Sequence, residues 1–211
     1  MPTLDNLLPE KHVHASFLAG IKRLQECSLF SARLLSKDAD LLNDLLQNHQ
    51  QVYVIAEMQR FLDAAQIKDD ASLKKALRQL RQRVILRTIY RDLNGLADLQ
   101  EVLHTTTELA EITLNTATQH HQTWLQALHG KPVDMAGNPQ HLIIIGMGKL
   151  GGGELNVSSD IDLIFAYQEA GETQGENKIS NQSLSNQDFF SKLGKKVISA
   201  LDDVTEDGFV F

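Results

Sequence analysis

Two short apolar segments flank a glycine-rich stretch, and the short distance between them limits the folds that this chain can adopt. Residues 141–145 and 160–167 are rich in branched apolar side chains, which predicts two strands. Only seven residues, 153–159, separate Gly152 from the second segment. A parallel crossover needs at least about 10–12 residues including its helix. We therefore expect the two strands to pair antiparallel.

The glycine-rich stretch also matches a dinucleotide-binding pattern. Gly146, Gly148 and Gly151 have the spacing G-x-G-x-x-G directly after an apolar segment. In a Rossmann fold these glycines bring a pyrophosphate close to the N-terminus of the crossover helix. Because there is no room for that helix here, we do not favour a Rossmann site.

Glycine and proline divide the chain into two segments. They are rare before residue 130 and cluster between residues 130 and 140. The first segment has the apolar spacing of helices, whereas the second has short branched-apolar runs separated by turns. The sequence therefore predicts an α+β chain, with a helical domain at residues 1–130 and a second domain at residues 131–211.

Local signals predict where the main elements lie. We expect helices over residues 17–29, 52–62 and 72–85, a long or kinked one from residue 96 through residue 124 that ends near Gly130, and a last one from residue 186 to about 201. Ser72 and Asn186 are the expected N-caps of their helices. Residues 209–211 are expected to begin a further strand, which would leave the second domain incomplete at its C-terminal end.

Composition excludes several classes of protein. The chain has 20 basic and 27 acidic residues, so its formal charge of −7 argues against a protein held mainly by nucleic-acid phosphates. A single cysteine, Cys27, excludes an internal disulfide, and we expect it to be buried. No signal peptide or membrane-length apolar stretch is visible, which predicts a cytoplasmic protein that does not bind membranes.

Asp160 and Asp162 are the strongest candidates for chemistry. Alternate residues of a strand share one face and lie roughly 6.6 Å apart. Two carboxylates so placed repel each other, and a divalent cation such as Mg²⁺ removes that repulsion. The alternative is an exposed strand end, which a lone D-x-D does not exclude. The neighbouring glycines and Ser158-Ser159, which offer N–H groups and hydroxyls to phosphate oxygens, favour phosphoryl or nucleotidyl transfer.

A longer match makes this interpretation more specific. Residues 146–156 and 158–165 resemble the signature of glutamine synthetase adenylyltransferases, which are bifunctional adenylyltransferase/adenylyl-removing enzymes. The match extends through residues 171–175, 186–190, 193–194 and 205–211, and residues 73–98 upstream resemble the family's arginine-rich helix.

The resemblance implies a fold and an activity. The family's catalytic domains are polymerase-β-like, with a small mixed sheet and three acidic ligands, two of them from the D-x-D motif. Its N-terminal domain removes AMP from a glutamine synthetase tyrosine by phosphorolysis, which releases ADP, and its C-terminal domain attaches AMP from ATP. Met1, the single motif copy, the preceding helices and the loop Gly151-Gly152-Gly153 favour the N-terminal, adenylyl-removing half.

The resemblance also implies ligands and partners. Asp160 and Asp162 would be the catalytic residues and the Mg²⁺ ligands, and the third carboxylate would follow Phe211, so we expect this chain to be weakly active or inactive. The expected phosphate-binding residues are Gly151, Gly152, Ser158, Ser159 and Lys149. The expected partners are glutamine synthetase, a PII-type signal protein, ATP or ADP, and phosphate.

Other functions remain open at this stage. One alternative is that the helices form a non-catalytic module that binds glutamine synthetase or a PII-type regulator. A different polymerase-β-like transferase is a further alternative. One predicted helix concentrates basic residues, which would meet an acidic partner, nucleotide phosphate, the carboxylates or solvent. They are Lys74, Lys75, Arg78, Arg81, Arg83, Arg87 and Arg91. His120 and His121 are adjacent, so they diverge on a helix and are expected to be solvated or hydrogen-bonded.

Overall fold

The computed structural model describes residues 15–175 and 183–211. The helices are α1 (Ala15–Cys27), α2 (Leu29–Lys37), α3 (Ala39–Asn48), α4 (Ile55–Ala64), α5 (Asp70–Leu93), α6 (Leu99–His129), the short α7 (Gly148–Gly151) and α8 (Asn186–Asp202). The strands are β1 (Lys131–Asp134), β2 (Ile143–Gly146), β3 (Leu163–Ala166) and β4 (Gly171–Gln174). The predicted α+β class is confirmed, since the described chain is mostly helical with small antiparallel sheets. None of the described helices is long and apolar enough to cross a membrane.

Side-chain caps set several helix boundaries. Ser28 accepts a hydrogen bond from the Ser31 N–H group and starts α2, so the single helix expected over residues 17–29 is in fact two. Asp69 caps α5, and Ser72 is its reciprocal partner in a capping box, which corrects the expected cap by three residues. Helix α6 runs to His129 and ends at Gly130, as predicted, because Gly130 adopts a φ of 90°.

Two apolar clusters form the core, and α5 contributes to both. One cluster joins α1, α2 and α3 to Leu86 and Tyr90 of α5. The other joins α4, α5 and α6 to α8 and to the loop that carries Leu155. The secondary structure changes at Gly130, but α5 and α6 pack directly against α8. The domain boundaries predicted from the sequence stay a prediction.

The strands form two separate antiparallel pairs. β2 pairs with β3, with Ile145 opposite Ile164, which confirms the predicted antiparallel return. β1 pairs with β4. No mixed sheet occurs among the described residues, because the connection between β2 and β3 is too short for a parallel crossover.

Two strand predictions need correction. The strand expected over residues 160–167 is limited to β3, because Asp160 to Asp162 lie in the loop before it. Residues 209–211 are not a strand. The N–H groups of Val210 and Phe211 instead donate to the carbonyl oxygen of Leu201, so this segment folds back on the end of α8.

Three of the seven basic residues of α5 are buried, so at these positions neither the solvated-face nor the partner-binding hypothesis holds. Arg78 and Arg87 are fully buried and Arg91 nearly so. Arg87 pairs with Asp44 of α3 and Glu57 of α4, at 3.1 and 3.0 Å. Each of these arginines therefore joins α5 to a different part of the chain.

Asn186 has a structural role that differs from the predicted cap. Ser185 is the N-cap of α8, and Asn186 is the first, completely buried residue of the helix. Its Nδ2 donates to the carbonyl oxygens of Val133 and Glu169, each at 3.0 Å. The side chain thus joins α8 to β1 and to the loop before β4.

The adjacent histidines differ from the expectation. His121 is buried, and burial lowers its pKa to about 4 although Asp70 Oδ1 lies 3.4 Å from its Nε2. Burial also lowers the pKa of His120. Cys27, expected to be buried, is exposed.

We predict that Asn186→Ala lowers the free energy of unfolding by about 2–4 kcal/mol, because two carbonyl oxygens lose their donor. Urea unfolding measures the change. Asn115→Ala, at an exposed position of α6, is the matched control and should stay within about 0.5 kcal/mol of wild type. Equal stability of the two variants would contradict the assigned role of Asn186.

We predict that His121 makes the fold less stable at acidic pH. The unfolded state takes up a proton below about pH 6.5, whereas the folded state keeps His121 neutral down to about pH 4. The free energy of unfolding therefore keeps its full value above about pH 6.5. It falls as the pH falls, by about 2 kcal/mol between pH 7 and pH 5. His121→Leu should remove this loss in urea unfolding, whereas His104→Leu, at an exposed histidine, should keep it; the same pH dependence in both variants would refute the prediction.

Candidate active site

A glycine-rich turn connects β2 to the loop before β3. The N–H group of Met147 donates to the carbonyl oxygen of Asp162 at 2.9 Å, so the pairing of the two strands continues for one step beyond the sheet. α7 then turns the chain, and Gly151 to Gly153 are exposed. The strand pairing thus brings the D-x-D segment beside the start of the glycine turn.

Two glycines are required by geometry. Gly148 has a φ of 53°, and a Cβ atom there would lie 4.0 Å from Oδ2 of Asp162, so this glycine is next to the carboxylate. A Cβ atom at Gly151 would lie 2.5 Å from the carbonyl oxygen of Gly146, which is closer than side chains permit. Gly152 has no such restriction, since its Cβ would have ordinary contacts. The sequence interpretation selected Gly151 and Gly152, but the glycine beside Asp162 is Gly148.

Asn156 organises the serine loop, and the sequence interpretation gave it no role. Its Oδ1 accepts from the N–H group of Ser158 at 3.1 Å and from the hydroxyls of Ser158 and Ser159 at 3.2 and 2.9 Å. Its carbonyl oxygen accepts from the N–H group of Ser159. The donors expected to hold phosphate are therefore engaged with Asn156. An Asn two residues before a Ser-Ser pair is a recognisable turn signal, which would have indicated this role.

Lys149 projects from α7 towards this loop. Its side chain is exposed, and Nζ donates to the hydroxyl of Ser159 at 3.4 Å. The long bond leaves the ammonium group with two further donors. Lys149 is therefore the predicted phosphate-binding residue whose charge is available beside the turn.

Asp160 and Asp162 open into one cavity. Both side chains are exposed, whereas Ile161 between them packs against the core, as the alternation predicts. The cavity has a volume of about 300 Å³, and its other charged residue is Asp202 at the end of α8. Its remaining lining is apolar: Ile161, Leu163, Phe165, Ile198, Leu201 and Phe211.

These carboxylates suit a hard cation only in part. Carboxylate oxygens are the ligands that Mg²⁺ prefers, and Mg²⁺ usually keeps several waters. However, the described residues contain no group of three or more His, Cys, Asp or Glu side chains that could hold a metal ion. Asp160 and Asp162 therefore form an incomplete ligand set that substrate oxygens, water or a further residue would have to complete.

A second, larger cavity lies on the other side of the glycine turn. It measures about 520 Å³ and lies between α6 and β2. Gly151 borders this cavity and not the one that contains the carboxylates. Of the predicted site residues, Asp160 and Asp162 therefore line one of these two cavities and Gly151 lines the other, whereas Lys149, Gly152, Ser158 and Ser159 line neither.

We predict that Gly151→Ala destabilises the chain by about 1–3 kcal/mol, because the new methyl group meets the backbone of Gly146. Gly152→Ala is the matched control at the next position and should be neutral or slightly stabilising. Urea unfolding distinguishes them. If both variants were as stable as wild type, the close approach at Gly151 would be refuted.

Comparison with known proteins identifies a family that this chain matches. The family model described as glutamate-ammonia ligase adenylyltransferase matches residues 18–211. This match includes the glycine turn, the serine loop and the D-x-D segment.

Individual relatives agree with the family model. The proteins named bifunctional glutamine synthetase adenylyltransferase/adenylyl-removing enzyme include one from Nitrosomonas eutropha, which is 46% identical over 189 residues, covering 87% of this chain and 20% of the relative. The Chromobacterium violaceum protein is 44% identical over 198 residues, which cover 93% of this chain and 22% of that relative. The chain spans about a fifth of the length of these curated relatives. The resemblance expected from the sequence is confirmed, and the chain belongs to the glutamate-ammonia ligase adenylyltransferase family.

Proposed function

We propose that this chain forms part of a nucleotidyltransferase site that removes AMP from a tyrosine of glutamine synthetase by phosphorolysis, releasing ADP. One observation supports the chemistry above all others. Asp160 and Asp162 line the same cavity, and Asp162 lies beside Gly148 at the start of the glycine turn. Two hard-oxygen ligands next to a turn without side chains are what a metal-bound polyphosphate needs.

Each residue has a proposed task. Asp160 and Asp162 hold Mg²⁺, which when bound neutralises charge that develops on the phosphate oxygens. The exposed glycines 151–153 let a phosphate approach the backbone without steric hindrance. Lys149 places a positive charge beside the same turn, where it attracts the attacking phosphate.

Ser158 and Ser159 have a less direct task in this proposal. Their N–H groups and hydroxyls bond to Asn156, so a phosphate competes with Asn156 for the same donors. Asn156 is therefore a positioning residue that holds the loop in place. The serines bind phosphate only after these bonds are exchanged.

The proposed fold of this part is polymerase-β-like. The observations that support it are an antiparallel pair joined by a glycine turn, acidic residues just before the second strand, and α8 packed against that strand. A Cβ atom at Gly194 of α8 would lie 3.7 Å from the ring of Phe165 in β3. A third acidic ligand and further strands would come from the rest of the longer protein.

The assignment to the adenylyl-removing half rests on the resemblance. The relatives' names include both the adenylyltransferase and the adenylyl-removing activity. The triple glycine at 151–153 and the helices before it favour removal. In the longer protein, a PII-type signal protein and ATP or ADP are the proposed further ligands.

The alternative of a helical binding module loses its main support. The basic residues of α5 were the feature of the helices that was considered for meeting an acidic partner. Arg78, Arg87 and Arg91 are instead buried and occupied by internal acceptors. No described feature favours the module over the transferase.

We predict that Asp160→Asn or Asp162→Asn, made in the longer protein to which this chain is proposed to belong, lowers the rate of AMP removal by about a hundredfold or more. The reason is that metal binding supplies several kcal/mol of charge stabilisation. Release of ADP from adenylylated glutamine synthetase measures the rate. Asp92→Asn, at an exposed position near the end of α5, is the control and should retain the wild-type rate.

The same variants test which half the chain represents. Attachment of AMP from ATP should continue at a substantial rate in both variants, because the proposal assigns that reaction to another domain. If attachment were lost while removal continued, the assignment to the adenylyl-removing half would be wrong. Near-normal rates of both reactions would refute the metal-binding role.

A further inference from the structure

A separate cavity of about 520 Å³ lies between α2, α5 and the segment that follows α8. It shares no lining residue with the cavity that contains Asp160 and Asp162. It is lined by Phe30, Arg33, Leu34, Lys37, Asp38, Arg81, Gln82 and residues 206–209. Its volume is in the range of small-molecule sites.

Arg81 is held rigidly in the wall of this cavity. The centre of its guanidinium lies 5.4 Å from the ring centroid of Phe30 and 5.0 Å from that of Phe209. The two phenyl rings belong to different elements, so they fix the side chain from two sides. Such contacts favour the charged guanidinium and leave its N–H groups as the polar part that still needs acceptors.

Those N–H groups lack acceptors within the described chain. Nε is buried and has no hydrogen-bond partner. Burial lowers the pKa of Arg81, and no carboxylate counteracts this effect. A buried donor without an acceptor destabilises the folded state. The Arg81 guanidinium is therefore unfavourable in this environment until a hydrogen-bond acceptor binds to it.

Three other arginines of α5 have acceptors for their guanidinium groups, although Nε of Arg87 is also buried without a partner. Arg78 donates to main-chain carbonyl oxygens of Lys74, Ala200, Asp203 and Gly208. Arg87 and Arg91 each bind carboxylates. Arg81 differs from these three because it faces a cavity.

The rest of the cavity wall is charged. Arg33 and Lys37 lie one turn apart on α2, so both face the same side, and both are exposed. The acidic lining residues are Asp38, Glu206 and Asp207. Asp38 already accepts from the N–H group of Asp40 at 2.8 Å as the cap of α3. The cations thus lie on the helices, and Glu206 and Asp207 on the loop after α8.

We propose that this cavity binds a small oxyanion, a phosphate or carboxylate group, in the plane of the Arg81 guanidinium. An oxyanion there accepts two parallel hydrogen bonds from the terminal Nη groups, since Nε itself is buried; this is a geometry that arginine favours for carboxylate and phosphate. Arg33 and Lys37 add positive charge at the rim. This site is independent of the proposed transfer reaction.

The test follows the ¹H–¹⁵N signal of Arg81 Nε in this chain during titration with inorganic phosphate, in the presence of EDTA so that metal-dependent binding is suppressed. Parallel titrations use acetate and chloride at equal ionic strength. We expect a saturable shift with phosphate or acetate, and the tighter of the two identifies the class of oxyanion. No saturable shift with either, or an equal shift with chloride, would overturn the proposal.

Substitutions of single residues test where the oxyanion binds. Arg81→Met keeps an unbranched side chain between the rings and should weaken binding at least about tenfold, measured by calorimetry. Arg33→Met, at an exposed position, should weaken it less and serves if Arg81→Met does not fold. Arg60→Met, an exposed arginine of α4, and Asp162→Asn should leave binding unchanged. Unaltered binding by Arg33→Met together with the loss of binding by Asp162→Asn would place the oxyanion elsewhere and refute the proposal.

Discussion

The buried guanidinium of Arg78 joins α5 to the C-terminal end of the described chain. It donates to the carbonyl oxygens of Lys74 in α5, Ala200 and Asp203 at the end of α8, and Gly208 beyond it. Carbonyl oxygens at the end of a helix have no partner within it, and a cation there also interacts favourably with the helix dipole. Burial lowers the pKa of Arg78, so these acceptors are what stabilise its charge in the core. Lys74 adds an ion pair with Asp203 at 2.8 Å on the surface of the same junction.

This junction determines where the candidate site lies. α8 is fixed to α5 by Arg78 and to β1 by Asn186, and its middle packs against Phe165 of β3. Because β3 follows the D-x-D segment directly, the position of α8 sets the position of Asp160 and Asp162. The end of α8 also supplies Leu201 and Asp202 to their cavity. The helical part therefore supports the site without contributing a basic residue to it.

The sequence was most informative where backbone constraints act over short distances. The seven residues between Gly152 and Asp160 excluded a crossover, and the antiparallel β2–β3 pair followed. Glycine at residue 130 ended α6 as expected. Long-range partners could not be predicted in this way: three of the four acceptors of Arg78 lie more than 120 residues away, and nothing local distinguishes a buried arginine from a solvated one. For the same reason Asn186 was expected to be a cap, although it joins α8 to two distant carbonyl oxygens. In the site, the glycine that lies beside Asp162 is Gly148 and not Gly151 or Gly152, because the pairing of β2 with β3 determines where Asp162 lies.

The central claim is that Asp160 and Asp162 form one cation site beside the glycine turn. Paramagnetic broadening by Mn²⁺ in the ¹H–¹⁵N spectrum of this chain tests it most directly, because the effect reports distance from the ion at each amide. The account predicts that the signals of Gly148 and of residues 160–162 broaden first and that Asp162→Asn removes this selectivity. Broadening centred on other carboxylates, or unchanged by the substitution, would contradict it.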